Sequence, residues 1–489
     1  MAQATEHRWL PTSGLVWALL PSVALSAALA ARPSPPHDYW WPLVQGRLFA
    51  LHGLPSVDGY LYSLPPGTEF INQQWLAHWL LFVSYRLGNH AGVALTTSLA
   101  CLLGWGLVCH AAHSRGGNSK TALGAAAVAV VFLSPSLVPR AQTLALPFFA
   151  VSLWLCLAVA DQRLAPRALL GLVPVTALWA NVHGSFVLAW VLFGAAALAT
   201  LRRVDVALRR SAVALLLACA AGLGLASVVS PNGFDTLLHV TRISHVRAVS
   251  EWQPLDPTTR EGGIALAALL GVGLLSWLRR SRVALHDALL LIVFSLLALK
   301  TWRGMLWWAV LLPVVVAPLF AASPTTPSRS WLHAAAASIC VLFVVSCLPG
   351  VGMRQLRLRF GPTAKPTGEG AGYLTLDSPI ELVEKARSSG AVRVFHDQKL
   401  GGLVEFVLAS DQPRAVAFVD QRMELIPERT WHEYFAISAG EDAVASLKRW
   451  SVDTVLAHQG EQAGLVRALS AAGYRPAARQ GEFVMFSLK

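Results

Sequence analysis

The feature that most constrains this chain is a succession of apolar runs, each about as long as a bilayer is thick. A spanning helix needs roughly 20 predominantly apolar residues, and about eleven stretches qualify. They lie at 14–31, 91–112, 121–138, 141–160, 168–182, 185–201, 211–230, 262–278, 284–299, 303–321 and 331–349. With 55% hydrophobic residues, 13% charged residues and a mean hydropathy of +0.51, most of the chain must sit in lipid. Residues 72–88 fit either a twelfth span or a helix lying along the membrane surface. The run 14–31 ends in Ala28-Leu29-Ala30-Ala31, which looks like a signal-peptide cleavage site, but the many spans that follow favour an uncleaved first helix.

A net charge of +12 raises the question of nucleic acid. The cations, however, fall in short clusters between apolar runs and not along one polar face, so no nucleic-acid partner is expected. Short cytoplasmic loops collect Lys and Arg. With the N-terminus inside and residues 72–88 on the surface, the inner connections carry Arg115 and Lys120; Arg163 and Arg167; Arg202, Arg203, Arg209 and Arg210; Arg279, Arg280 and Arg282; and Arg329. Loop 32–90, the turn 139–142, the turn Asn181–Ser185, loop 231–260, the turn Lys300–Arg303 and the C-terminal segment then share the outer side. The expectation is an integral protein of a bacterial inner or plasma membrane, with a cytoplasmic N-terminus. Cys101, Cys109, Cys156, Cys219 and Cys340 lie inside apolar runs and Cys347 near the end of one, with no metal-ligand or disulfide spacing.

From about residue 351 the composition turns polar. A Gly/Pro-rich connector over 351–373 separates a membrane domain, 1–350, from a C-terminal domain, 374–489. There, strand-like segments at 392–395, 415–419 and 454–457 alternate with helical patterns at 402–409, 431–450 and 462–472, closed by a hairpin over 474–479 and 482–488. The fold class expected is an all-α polytopic membrane domain followed by a small extracytoplasmic α/β domain. Gly401-Gly402 between a strand and a helix fits either a phosphate cradle or a simple tight turn. Asp397, Asp420 and Arg422 fall at strand ends, where ligands bind in parallel sheets, or serve as loop caps and surface ion pairs.

The outer connections hold the polar residues of interest. The first reads His37-Asp38-Tyr39-Trp40-Trp41, then Gly53-Leu54-Pro55 and Asp58, then Glu69 and Asn72-Gln73-Gln74-Trp75. Its aromatic rings suit an interfacial belt. Asp38 is either solvated and idle or placed for proton transfer at a cavity mouth. Asn181 and His183 lie between apolar runs, where an unpartnered polar group costs several kcal/mol, so they need partners or water. Arg140, Lys300 and Arg303 are cations on the side the topology rule disfavours. They are either phosphate ligands or snorkelling anchors.

These loop patterns, with the turn Trp179-Ala180-Asn181-Val182-His183-Gly184 and the segment Val394-Phe395-His396-Asp397 to Asp420-Gln421-Arg422, resemble the GT-C class of integral membrane glycosyltransferases. That class includes protein mannosyltransferases and the aminoarabinose transferases of lipid A. The resemblance covers nearly the whole chain through loose motifs. It implies transfer of a sugar, hexosyl or pentosyl, from a polyprenyl-phosphate donor to a glycan, lipid or protein acceptor, with Asp38 as base. The class often has a second acidic motif, but Pro139-Arg140-Ala141-Gln142 has no carboxylate. This argues against a divalent metal; no cofactor is expected, and Arg140 becomes a phosphate partner. Lys300 and Arg303 would join it, His183 and Glu251 would position sugar or acceptor, and His37, Asp58 and Glu69 complete the candidate substrate-binding set. A transporter or flippase, or a non-catalytic scaffold that binds a partner through its C-terminal domain, is the alternative.

Overall fold

The computed structural model describes residues 33–116, 138–243, 250–320, 373–375 and 377–489, with 22, 23, 25, 26 and 29. The expected spans 14–31, 121–138 and 331–349 and the connector 351–373 lie wholly or largely outside the described residues. The first helix, α1 (Pro36–His52), is entered through Pro36, whose missing N–H would find no helical acceptor there anyway. It is followed by α2 (Trp75–Gly116), α3 (Ala141–Ala160), α4 (Leu172–Val182), α5 (Leu188–Arg203), α6 (Arg209–Ser227), α7 (Asp235–Ile243), α8 (Arg260–Leu278), α9 (Leu285–Lys300) and α10 (Trp302–Val316). Among the described residues, 6 helical stretches are long and apolar enough to cross a membrane: Trp75–Gly116, Ala141–Ala160, Gly184–Arg203, Val206–Ser227, Arg260–Leu278 and Trp302–Phe320. α4 and α9, at the expected spans 168–182 and 284–299, are shorter, with 11 and 16 residues. α3 and α10 form the centre, buried along nearly their whole length. α6 and α8 are peripheral and turn Leu217, Leu225, Leu270 and Leu274 outward. So much outward leucine suits lipid and not water.

Residues 72–88 belong to neither simple alternative. α2 breaks at Gly88 (φ −148°, ψ 23°) and Asn89 (φ 48°, ψ −143°). The Ser84 and Thr96 hydroxyls lie 2.7 Å apart, although twelve residues of straight helix would separate them by about 18 Å. The chain therefore reverses at the break, and the arm 75–87 folds back on the arm that begins at 90. Gly92 allows this approach, since a Cβ there would stand 2.0 Å from the Ser84 carbonyl oxygen. Gly92→Ala is expected to destabilise the protein by about 1–3 kcal/mol, as overpacking does. A thermal melt in detergent checks this, and an unchanged midpoint would mean that the arms separate freely.

The two ends of the bundle differ in charge chemistry. At one, Arg115 is buried against Asp161 (2.8 Å) and Asp287 (2.9 Å) and donates to the Val314 carbonyl (2.9 Å). Arg163 joins Asp161 at 3.2 Å, and Arg279 and Arg282 donate to the Leu319 carbonyl. These cations come from the connections that the positive-inside rule assigns to one side. The 20 residues of α3 separate this cluster from Arg140, a distance of about 30 Å.

Above the other end sits the C-terminal domain. It contains α11 (Ile380–Ser388), β1 (Val394–His396), α12 (Gly401–Leu408), α13 (Glu428–Ala439), α14 (Ala443–Arg449), β2 (Thr454–His458), α15 (Ala463–Ala471), β3 (Pro476–Gln480) and β4 (Phe483–Ser487). The strand order is β1-β2-β4-β3, parallel between β1 and β2 and antiparallel elsewhere. The expected helix 431–450 is two helices, because Gly440 (φ 89°) ends α13 in a left-handed cap. The segment 416–417 extends the sheet beyond β1, and the loop between α1 and α2 extends it further. Val416 N donates to the Tyr60 carbonyl (2.9 Å) and Tyr62 N to the Ala417 carbonyl (3.1 Å). Loop and C-terminal domain thus share one sheet edge.

Candidate functional site

A cavity of about 520 Å³ opens where this domain meets the ends of the central helices. Its walls come from α1, the chain entering α2, the residues before α3, the turn after α4, α7, the loop before α8, the start of α10, and the strand ends of the C-terminal domain. His37, Asp38, Arg140, His183, Glu251 and Arg303 all line it. Asp58, Glu69 and Lys300 do not. Asp58 is buried in an ion pair with Arg422, Glu69 is exposed on a strand-like bridge to Val57, and Lys300 is exposed at the end of α9.

Asp38 stands in the first turn of α1, where the helix dipole favours negative charge. Its Oδ2 lies 3.1 Å from Arg140 Nη1 and 3.8 Å from His37 Nε2. The same Arg140 nitrogen donates to Glu251 Oε1 at 2.8 Å. Glu251 Oε2 accepts from Arg303 Nε (2.8 Å) and lies 2.6 Å from Nη2. The Trp252 ring, 4.9 Å below the guanidinium, holds Arg303 in place. Burial alone would raise the Glu251 carboxyl, but Arg303 and Arg140 outweigh it and hold it at about 2. Burial would likewise lower Arg140, yet Asp38 and Glu251 raise it above the usual arginine range. The four side chains form a chain of ion pairs, carboxylate alternating with guanidinium.

That chain bears on metal binding. The two cavity carboxylates that could share a divalent cation are already bridged by Arg140. Among the described residues no group of three or more His, Cys, Asp or Glu side chains stands together as a metal site.

His183 Nδ1 accepts from Ser185 N (3.1 Å) and lies 2.8 Å from Ser185 Oγ, which itself accepts from Trp179 Nε1 (3.1 Å). With Nδ1 an acceptor, the ring proton resides on Nε2. Burial, Arg303 and Arg140 hold this imidazole well below the usual histidine range, so it is a neutral donor. Asn181, the other polar residue of that turn, is a structural tie. It accepts from Trp75 Nε1 (2.7 Å) and donates to the Ala177 and Val229 carbonyls. The buried Gln142 amide, Asn72 Nδ2 and Trp41 Nε1 line the cavity without a hydrogen bond among the described residues.

The C-terminal domain supplies Gln398, Lys399, Gln421, Arg422, Met423 and Glu424 to the rim. Sequence reasoning placed Asp420 and Arg422 at a strand end but gave no role to Trp252, His78, Gln142 or Lys399, which the packed molecule gathers here. Lys399 pairs with Glu461. Arg422 is a hub, with ion pairs to Asp58 and Asp420 (both 2.5 Å) and to Glu405 (3.7 Å), and with its guanidinium 4.9 Å over Phe70. Burial and the neighbouring Asp420 push the Glu405 carboxyl well above its ordinary value. Gly401 and Gly402 are packing positions: a Cβ would meet the Val419 carbonyl and the Trp41 backbone nitrogen, each at 2.6 Å.

No family profile and no curated protein sequence matches the chain. Among solved structures, it is similar to the arabinofuranosyltransferase AftD from Mycobacteria, in a mutant form. The TM-score is 0.55 at 15% identity over 99% of this chain and 42% of that one. It is also similar to the oligosaccharyltransferase AglB of Archaeoglobus fulgidus, in complex with an inhibitory peptide and a dolichol-phosphate. That TM-score is 0.50 at 12% identity over 96% of this chain and 74% of that one. ArnT from Cupriavidus metallidurans aligns at TM-score 0.49 and 15% identity, over 95% and 96%. The chain shares its overall fold with AftD and AglB.

Proposed function

We propose that this chain is a membrane glycosyltransferase that moves a sugar from a polyprenyl-phosphate donor to a glycan, lipid or protein acceptor at the outer membrane face. The observation that carries the reading is the alternating set Asp38–Arg140–Glu251–Arg303 on one cavity wall, at the end of the helix bundle opposite the loop cations. The archaeal neighbour with a dolichol-phosphate supports a lipid-linked phosphate as ligand.

In this reading Asp38 takes the proton from the acceptor hydroxyl as that oxygen attacks the anomeric carbon. The leaving phosphate oxygen develops negative charge, which Arg140 and Arg303 stabilise. A phosphate leaves without needing an acid, so a single displacement suffices, and the anomeric configuration inverts. His183 Nε2–H and the amides of Gln142 and Asn72 are placed to meet sugar hydroxyls, and Trp41 and Trp252 offer apolar faces. A metal-independent reaction is expected, because in the resting protein Arg140 bridges Asp38 and Glu251.

The test is transfer of radiolabel from a panel of polyprenyl-phosphate sugars to membrane acceptors, with and without a chelator. Transfer from one donor, unaffected by chelator and with inverted anomeric configuration, is expected. Well-folded protein that transfers from none of them would move the reading to the transporter or the scaffold.

A further inference from the structure

We infer that Glu251 is a built-in stand-in for the donor phosphate: its carboxylate occupies the two-arginine anion seat in the resting protein and is displaced when a phosphate arrives. The inference rests on the donor reading above and says where the phosphate group goes. Three nitrogens from two arginines meet on this one carboxylate, Arg140 Nη1 on Oε1 and Arg303 Nε and Nη2 on Oε2. Convergent guanidinium forks on a single oxyanion are the arrangement that binds phosphate, because their planar donors match its oxygens. Trp252 stacks under Arg303, so the fork keeps its orientation after the carboxylate leaves. Glu251 is held ionised by these arginines and so competes as an anion over the whole ordinary pH range.

Charge balance favours exchange over addition. Arg140 and Arg303 already face Asp38 and Glu251, two cations against two anions, so a phosphate added beside Glu251 would make the wall net negative in a half-buried place. Exchange keeps the arginine fork itself neutral, because the Glu251 side chain, 30% exposed, can turn toward water. It also settles the distance to the base: the nitrogen that would hold the phosphate oxygen, Arg140 Nη1, is the one that already contacts Asp38 Oδ2. A phosphate in the seat therefore brings its esterified sugar beside Asp38.

The test uses the full chain in detergent and farnesyl phosphate, a short polyprenyl phosphate, as the probe titrated by calorimetry. Glu251→Gln, which removes the competing charge at constant shape, is expected to bind the probe roughly tenfold more tightly than wild type, and Arg303→Gln to lose binding. A thermal melt for each variant separates loss of affinity from loss of fold, and Glu251→Asp, which keeps the charge, should restore weak binding if Gln binds tightly. Equal or weaker binding by a folded Glu251→Gln variant, with wild type binding the probe, would overturn the stand-in role alone. No binding of farnesyl phosphate by wild type or any variant would overturn the phosphate-donor reading itself.

Discussion

Replacing Asp38 by asparagine is expected to lower sugar transfer by about 10²–10⁴-fold, the share that a positioned general base contributes, while leaving the protein folded. Asparagine keeps the shape of the side chain and an oxygen to accept from Arg140, and Arg140 retains Glu251 at 2.8 Å. The Asp38 side chain is also 31% exposed, so the lost charge pair is partly screened and contributes little to stability. What disappears is the ability to accept a proton. Initial rates with the donor that wild type uses, beside a thermal melt, measure this. His37 lies 3.8 Å from the same carboxylate and is the other base within reach. His37→Gln should cost far less, and a larger loss there than at Asp38 would transfer the role to the imidazole. Equal rates for wild type and Asp38→Asn would remove Asp38 from the chemistry.

The largest effect on stability is expected at Arg422. Its side chain is 2% exposed and faces the carboxyls of Asp58, Asp420 and Glu405. Removing the cation that pairs with these carboxyls leaves uncompensated buried charge, which costs about 3–5 kcal/mol. Arg422→Met should therefore loosen the joint between the loop joining α1 to α2 and the C-terminal domain, because Asp58 belongs to one and Asp420 to the other. Chemical denaturation would report the loss, and limited proteolysis should show new cleavage within residues 54–74. If charge is the cause, adding Asp58→Asn and Asp420→Asn to the methionine variant should recover most of the stability. Failure of the triple variant to recover would instead assign the cost to the lost packing over Phe70, 4.9 Å from the guanidinium.

Several site residues were legible one at a time. Arg140 and Arg303 stand out in the sequence as cations on the side that the positive-inside rule leaves poor in them, and both reach the cavity. Asp38 stands out as a carboxylate a few residues past an apolar helix. Lys300 carries the same signal as Arg303, but it sits at the last position of α9 and points away from the cavity wall, while Arg303 enters α10 one turn later. Asp58 and Glu69 fall in the same polar stretch, 32–90, as Asp38, but they lie beyond α1, in the segment taken up by the sheet edge and the Arg422 cluster. Trp252 and Lys399 had no local mark at all, because a cavity wall is a property of what packs opposite.

Alone, the sequence determined that the chain enters lipid, which connections share a side, and that a small α/β unit follows. Those follow from length, apolarity and the placement of charge, which act within about 20 residues of chain. Tertiary structure alone decided that the arm 75–87 folds back at Gly88–Asn89, that loop 54–74 completes the sheet edge of a domain far along the chain, and that one carboxylate bridges two arginines from different helices. These depend on close approach at positions such as Gly92 and on pairing of buried charges across long sequence separations, and neither is written in any local pattern.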